Sequence, residues 1–384
     1  MAPTIEDRDF SGKRALVRVD YNVPLDEQGN IVDDTRIRAS LPTINALLGR
    51  GAKQVILMTH LGRPEGKRNP KLTTDKLALR LMQLVGKTVQ KTDDCVDIEL
   101  PNTTLVMLEN LRFHQEEEDN DPEFARRLAQ NGDVYVNDAF GTAHRAHAST
   151  VGVTNHLPGC VGKLIEKELT YLDINTMQQP IIAILGGAKL ETKLPLIQRV
   201  LGKVDRLLLG GAMIFTFYKA KGWPVGDSLT DEKNLLMAQM LANNDKLLLP
   251  TDVVVAKNPD DAAGARTVPA QGIPAGTMGL DIGPASLEQY KQALAKAKTI
   301  IWNGPLGLVE KPPFDKATND LLDYLSTRKE QGVTTIIGGG DSVKMIERRG
   351  LQASFTHVST GGGASMQLLE GKTLAAIAAL DKQL

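Results

Sequence analysis

Short runs of three to five mostly apolar residues, rich in Val, Ile and Leu, recur along the chain, and each ends in a polar or glycine-rich turn. Amphipathic helical stretches separate them. A strand covered on both faces reads as an apolar run without polar alternation, so the pattern predicts parallel sheets flanked by helices, an α/β fold. The first half carries Ala15–Val19, Val55–Met58, Leu105–Leu108 and Val134–Val136. The second carries Ile181–Leu185, Arg206–Leu209, Asp252–Val255, Thr299–Trp302, Thr334–Ile337 and Thr356–Ser359, and reads as a doubly wound sheet. Helices are expected at Ile37–Leu48, Thr73–Val85, Pro122–Gln130, Lys193–Val200, Asp231–Leu241, Ser286–Ala297 and Pro313–Ser326. No fixed-period repeat is visible, which argues against a solenoid.

At 384 residues the chain exceeds what one hydrophobic core usually supports, so two domains are expected. Ile165, Leu169 and Leu172 recur at helical spacing amid Lys and Glu, predicting a connecting helix between Gly162 and Asp173. We therefore divide the chain near residue 170. Residues 1–170 hold 13 of the 19 Arg and five of the six His, whereas residues 171–384 hold 23 of the 35 Gly. The whole carries a formal charge of −1, a balance that disfavours a nucleic-acid partner. Cys95 and Cys160 lack a CxxC or paired-His context and are expected to be inert, in keeping with a reducing cytoplasm. No apolar run approaches ~18 residues and no apolar core follows Met1, so neither a membrane partner nor a secretory signal is expected.

In open α/β sheets ligands bind beyond the carboxyl ends of the strands. In the first half those ends read Asp20-Tyr21-Asn22, Thr59-His60-Leu61-Gly62-Arg63, Glu109-Asn110-Leu111-Arg112 and Asn137-Asp138, the last continuing to His144-Arg145-Ala146-His147. Arg36 stands at a helix entry near the first of them. Arg36, Arg63, Arg112 and Arg145 are expected to converge on one cleft for a small anion bearing phosphate and carboxylate, with His60 and Asn22 as further donors. A single loop Arg would ordinarily be solvated surface; four at successive strand ends are not. His144 and His147 have metal-pair spacing but no third ligand in reach, and Arg145 lies between them, so no metal is expected there. Glu116-Glu117-Glu118-Asp119 reads as a solvated acidic loop.

Glycine clusters follow the strands of the second half: Gly186-Gly187-Ala188-Lys189, Gly210-Gly211, Asn303-Gly304, Gly338-Gly339-Gly340-Asp341-Ser342 and Gly361-Gly362-Gly363. Such turns at helix starts present bare N–H groups to phosphate. Any one of them alone would be a tight turn. Lys189 and Lys193, four apart, can face one phosphate, and Asp341 suits a phosphate-bound Mg²⁺. No GxGxxG occurs. Gly86-Lys87-Thr88 and Gly371-Lys372-Thr373 lack the upstream Gly of a P-loop, having Leu81 and Met366 instead.

The strings Arg18-Val-Asp-Tyr-Asn-Val-Pro24, His60-Leu-Gly-Arg-Pro64, Leu108-Glu-Asn-Leu-Arg-Phe-His114, Asp138-Ala-Phe-Gly-Thr-Ala-His-Arg-Ala-His147, Gly186-Gly-Ala-Lys189, Trp302-Asn-Gly-Pro-Leu-Gly307, Gly338-Gly-Gly-Asp341 and Ser359-Thr-Gly-Gly-Gly-Ala-Ser365 together closely resemble the phosphoglycerate kinase family, in order and over essentially the whole chain. The resemblance implies two Rossmann-like α/β domains, parallel sheets flanked by helices, joined by a hinge helix into a bilobal monomer. Residues 1–170 would bind 3-phosphoglycerate or 1,3-bisphosphoglycerate and residues 171–370 the nucleotide, with a last helix at about 371–384 returning to the first domain. It implies reversible, Mg²⁺-dependent phosphoryl transfer from 1,3-bisphosphoglycerate to ADP after hinge closure, giving 3-phosphoglycerate and ATP in glycolysis. Asp20, Asn22, Arg36, His60, Arg63, Arg112 and Arg145 would bind the phosphoglycerate. Lys189, Lys193, Gly210, Gly211, Asn303, Glu310, Gly338, Gly339, Gly340, Asp341 and Ser342 would bind the nucleotide. Arg36, Lys189, Lys193, Gly339 and Gly362 would surround the migrating group, and Asp341 would hold Mg²⁺. Leu308-Val309 stands before Glu310 where the family usually has Phe. The alternatives are another acyl-phosphate (carboxylate) kinase or a catalytically silent nucleotide-binding sensor.

Overall fold

Apolar strands buried on both faces need helices above and below them. In the computed structural model, which describes residues 2–381, this demand is met twice. One unit comprises Met1–Thr170 with Lys372–Leu384, the other Tyr171–Gly371. Residues 382–384 of the expected last helix lie outside the described residues.

The first unit contains β1 (Arg14–Val19), β2 (Gln54–Met58), β3 (Val89–Lys91), β4 (Leu105–Met107), β5 (Val134–Asp138) and β6 (Gly159–Val161). They form one sheet in the order β3-β4-β2-β1-β5-β6, parallel throughout. In register, Leu16 lies between Ile56 and Tyr135. The central β1 has β2 on one side and β5 on the other, so the connections diverge and leave a crevice at its carboxyl end. The sequence did not reveal β3 or β6; both are three-residue strands, and β3 reads Val-Gln-Lys.

The expected helix Ile37–Leu48 is two helices, Thr35–Ala39 and Leu41–Gly49. Pro42 cannot donate to the turn before it, and the Ser40 hydroxyl turns back to donate to the Ile37 carbonyl at 2.8 Å. The acidic stretch also departs from expectation. Gln115–Glu118 forms one helical turn, and Glu117 is fully buried rather than solvated. Its carboxylate accepts from the Ser149 N–H at 2.9 Å and the Ser149 hydroxyl at 2.6 Å. One turn of helix sends one of four adjacent acids inward, and nothing local marks which. The helix Ala375–Asp381 attaches to this unit, Ala376 donating its N–H to the Ala143 carbonyl at 3.0 Å.

The second unit contains β7 (Ile181–Leu185), β8 (Arg206–Leu209), β9 (Leu247–Leu248), β10 (Asp252–Ala256), β11 (Arg266–Pro269), β12 (Met278–Ile282), β13 (Thr299–Asn303), β14 (Thr334–Gly338) and β15 (His357–Val358). Six of them make a parallel sheet ordered β15-β14-β13-β7-β8-β9, with β7 at the divergence. The Asp252 run, expected in this sheet, is instead the middle of a separate antiparallel sheet, β11-β10-β12. Three consecutive valines read alike in either setting, because apolar content reports burial and not strand direction.

The connecting helix is Lys163–Leu172. At its start the Leu164 N–H donates to Asp138 Oδ1 at 2.9 Å, tying β5 to the helix. Asp138 is fully buried, and that burial raises its carboxyl from 3.8 to about 7. A carboxyl whose folded pKa is raised stabilises the fold below its unfolded pKa and loses that contribution as pH climbs through the folded one. Asp138→Asn, which cannot ionise, should therefore gain in Tm relative to the unmodified chain as pH rises from about 4 to about 7. A Tm difference that stays flat across that window would show that the carboxyl ionises normally.

Candidate active site

The crevice at the end of β1 is built from loops that β1, β2, β4 and β5 deliver together. Glu109, buried after β4, accepts from the Thr74 N–H (2.9 Å) and the Asn110 N–H (2.8 Å) and meets Lys91 Nζ at 2.8 Å. Asn110, so oriented, clamps the loop after β2. It accepts from the Leu61 N–H (3.2 Å) and donates to the Leu61 carbonyl (2.8 Å) and the Leu72 carbonyl (2.9 Å). The same carboxamide oxygen caps the turn Leu111–Phe113 by accepting from the Arg112 N–H. Arg112 Nη1 in turn donates to the Gly62 carbonyl at 3.0 Å, and its Nη2 lies 3.1 Å from Glu118.

His60 sits on the crevice floor, 3% exposed. Burial holds its pKa well below 6.5, and the charges of Arg18, Arg112, Arg145 and Arg36 push it the same way. His147 is lowered to about 4 by burial and by Arg18, Arg112 and Arg145. Three of the four arginines named from the sequence thus act on one point. Arg63 is exposed on the loop after His60 and makes no ion pair among the described residues. The fully buried Arg18 takes the fourth place, a residue that sequence reasoning passed over. Its signal was an Arg inside an apolar strand, two residues before Asp20. Asp20 is nearly buried and pairs with Arg36 Nη1. Gly141 leaves room for that pair, since a Cβ there would stand 2.4 Å from Asp20 Oδ2. Asn22, exposed, accepts from the Gly62 N–H at 2.9 Å. His144 accepts from Arg145 Nε at 3.4 Å.

Away from this floor, one donor atom from each of Asp94, Cys95 and His114 gathers within 4.8 Å of the others, a proximity that the spacing in sequence conceals. His114 Nε2 and Asp94 Oδ1 are 2.7 Å apart. Burial raises the Cys95 thiol well above its ordinary pKa, which keeps it protonated.

In the second unit the loop ends of β7, β13 and β14 meet. Lys193 Nζ donates to Asn303 Oδ1. Gly338 and Gly339 pack against the Asn303 carboxamide. Burial lowers the Lys193 ammonium from 10.5 to about 8, with only Glu370 opposing the fall. Asn303 Nδ2 and Ser342 Oγ are buried without a hydrogen-bond partner among the described residues. Buried polar groups are nearly always satisfied, so a cation lowered by burial and two unmet groups at these loop ends form a cradle whose chemistry suits an anion. Lys189 stands exposed on the loop after β7. Gly362 precedes the helix Gly363–Leu369, whose Met366 sulfur lies 3.7 Å from Lys193 Nζ.

Beside the cradle opens a cleft of about 430 Å³. Of the expected nucleotide residues, Gly211, Glu310 and Asp341 line it; Lys189, Lys193, Gly210, Asn303, Gly338–Gly340 and Ser342 do not. Its apolar walls, Phe215, Leu306, Leu308 and Met278, were not anticipated, because core and cleft apolar residues look alike in sequence. Gly211 adopts φ +68°, and a Cβ there would come within 2.4 Å of the Gly187 backbone. Asp341 is 53% exposed at the start of the helix Gly340–Arg348, with Lys344 Nζ 3.2 Å away.

Comparison with known proteins places these two half-sites in context. The family model described as phosphoglycerate kinase matches residues 5–372. The chain is 54% identical to the phosphoglycerate kinase of Acaryochloris marina over 389 aligned positions, covering 97% of each. It is 50% identical to the chloroplastic phosphoglycerate kinase of Volvox carteri, covering 98% of this chain and 84% of that one. Among solved structures it is similar to phosphoglycerate kinase from Coxiella burnetii, with a TM-score of 0.88 at 34% identity, covering 100% and 99% of the two chains.

The clamp made by Asn110 leads to a stability prediction. Asn110→Ala strands four backbone groups of the crevice loops and should cost about 1–3 kcal/mol of stability, read as a lower midpoint in a urea titration. An unchanged midpoint would show that the loops hold without it.

Proposed function

The chain belongs to the phosphoglycerate kinase family, and we propose that its two half-sites divide that reaction between them. The reaction is reversible phosphoryl transfer from 1,3-bisphosphoglycerate to ADP, giving 3-phosphoglycerate and ATP, with a carboxyl group as acceptor in the reverse direction. On this reading the β1 crevice holds the phosphoglycerate and the cradle and cleft of the second unit hold the nucleotide. The observation that carries it is the set of arginines, Arg36, Arg112 and Arg145 with Arg18, whose charges act on one buried His60, a concentration of fixed cations suited to an anion. The family relationship favours this reaction over another acyl-phosphate kinase, and over a silent sensor.

Phosphoryl transfer needs positioning and charge stabilisation rather than covalent work by the protein. Arg112, Arg145 and His60 orient the three-carbon acid by its phosphate and carboxylate, with Asn22 and Asp20 shaping the near side. Arg63, exposed, contacts the outer part of the same ligand. Arg36, held by Asp20, keeps guanidinium N–H groups for the migrating group. Lys189, Lys193 and the amides at Gly339 and Gly362 meet that group from the nucleotide side. Transfer requires the two sets to come within in-line reach and to exclude water. The attacking ADP oxygen is already ionised, so no general base is needed. Glu310 and Gly211, on the cleft wall, contact the nucleoside; Gly210 supports the turn.

Mg²⁺ bound with the nucleotide fits the donors present, since Asp341 puts a half-exposed carboxylate on the cleft wall beside the amides of a helix start. When bound, it would neutralise phosphate charge. Each chain carries both half-sites, which supports a monomer, and two buried, unpaired thiols support a reducing compartment such as the cytoplasm. No helix among the described residues is long and apolar enough to cross a membrane.

Arg36→Ala should lower kcat by ~10³ in the ATP-dependent phosphorylation of 3-phosphoglycerate, trapped with hydroxylamine as the hydroxamate. Near-normal turnover would remove Arg36 from the reaction. Lys193, lowered to about 8, loses its charge as pH rises through that value, so kcat/KM for the nucleotide should fall above about pH 8. Lys193→Arg stays cationic and should abolish that fall. A wild-type profile flat to pH 9 would argue against a charged Lys193 at the phosphate.

A further inference from the structure

We propose that Arg18 is a positioning residue that fixes the tautomer of His60, so that the imidazole always presents Nε2–H as a donor to the crevice. The proposal deepens, and rests on, the reading of that crevice as the phosphoglycerate half-site.

Hydrogen-bond chemistry forces the placement of the proton. Arg18 Nη2 lies 3.1 Å from His60 Nδ1, both groups buried. A guanidinium has only donors, so Nδ1 must accept and the ring hydrogen must sit on Nε2. The other end of Arg18 is pinned just as strictly. Its Nε–H donates to Ser149 Oγ at 2.8 Å, and the Ser149 hydroxyl donates to Glu117 Oε1 at 2.6 Å. Its Nη1 donates to the Val19 carbonyl. Ser149 is itself held, its carbonyl accepting from the Tyr135 hydroxyl at 2.9 Å. A chain that starts at an acceptor-only carboxylate and passes through a donor-only guanidinium admits one proton arrangement. Among the described residues no protein acceptor takes the His60 Nε2 hydrogen, which leaves it for a ligand.

The wider surroundings support this assignment. Acting on His60 are Arg18 from β1, Arg36 from the helix Thr35–Ala39, Arg112 from the turn Leu111–Phe113 and Arg145 from the loop after β5. Asp20 pairs with Arg36, and His147 feels Arg18, Arg112 and Arg145 as well. Glu117 lies behind Ser149. The cations outnumber the carboxylates, so a doubly protonated imidazole is disfavoured while a neutral donor is not. Arg18 makes no ion pair among the described residues, and its hydrogen-bonded link to Glu117 runs through the serine hydroxyl.

The test is the ¹⁵N–¹H correlation spectrum of the full chain with ¹⁵N-labelled histidine, recorded without ligand between pH 6 and 8. His60 should show an unprotonated Nδ1, a protonated Nε2 and no titration. Arg18→Met should give mixed tautomers and a KM for 3-phosphoglycerate raised about tenfold with kcat within about twofold. Arg18→Lys, also donor-only, should restore the tautomer. Ser149→Ala, which loosens Arg18 without deleting its charge, gives a second route should Arg18→Met fold poorly, and should also broaden the tautomer mixture. A wild-type proton on Nδ1, or variants that keep the wild-type tautomer, overturn the proposal. Absence of any effect of 3-phosphoglycerate on the wild-type His60 resonances overturns instead the reading of the half-site.

Discussion

A guanidinium removed from water governs the first unit. Arg18 is fully buried, and an isolated buried charge is costly unless hydrogen bonds replace its hydration. The surrounding structure supplies those bonds in a particular order: the Val19 carbonyl, the Ser149 hydroxyl backed by Glu117, and the imidazole of His60. None of these is a carboxylate in contact. The charge is therefore solvated by dipoles, and burial first, with the field of Arg18 and its neighbouring arginines, lowers the pKa of His60 and His147. Glu109 and Asn110 hold the neighbouring loops so that Arg112 joins the same field. The cleft is cationic because its bases are fixed arginines, while burial and those arginines disfavour charge on His60 and His147.

On the proposed reading the second unit would meet an anion by other means. Its cradle relies on glycine turns, on a lysine whose ammonium is lowered to about 8 by burial, and on the unmet Asn303 and Ser342 groups. A compact ammonium and backbone amides suit phosphate held at a strand end, where a bulky fork would not fit between loops packed as closely as Gly187 and Gly211. Next to it, apolar walls give a flat ligand part a place to shed water. The two units thus divide the work by chemistry, forked cations in one and amides beside an apolar cleft in the other.

Much of this was legible residue by residue. The central strands β1, β2, β5, β7, β13 and β14 were read nearly to their ends, because both faces are buried and the apolar run is the strand. Arg36, His60, Arg112 and Arg145 were named from their positions after those strands, and the field at His60 arises from three of these four and Arg18. What escaped was decided by neighbours distant in sequence. Glu117 looks like any of its acidic neighbours until Ser149, 32 residues on, takes its carboxylate. Arg18 reads as an interruption of an apolar strand until His60 and Ser149 close around it. Short edge strands and the β10–β12 sheet carry too little pattern to announce their pairing.

The sequence by itself determined the class of fold, the crossing points where ligands would sit, the family, and which residue types face anions. These follow from local properties: periodicity, glycine placement, and charge at the end of an apolar run. Only the tertiary structure decided which acid is buried, which arginine replaces Arg63 at the crevice floor, and which nitrogen of His60 carries the hydrogen. Those outcomes depend on desolvation and on hydrogen-bond partners brought together from far apart along the chain. Burial sets the strength of a charge and its partners set its direction, and neither is a property of a residue alone.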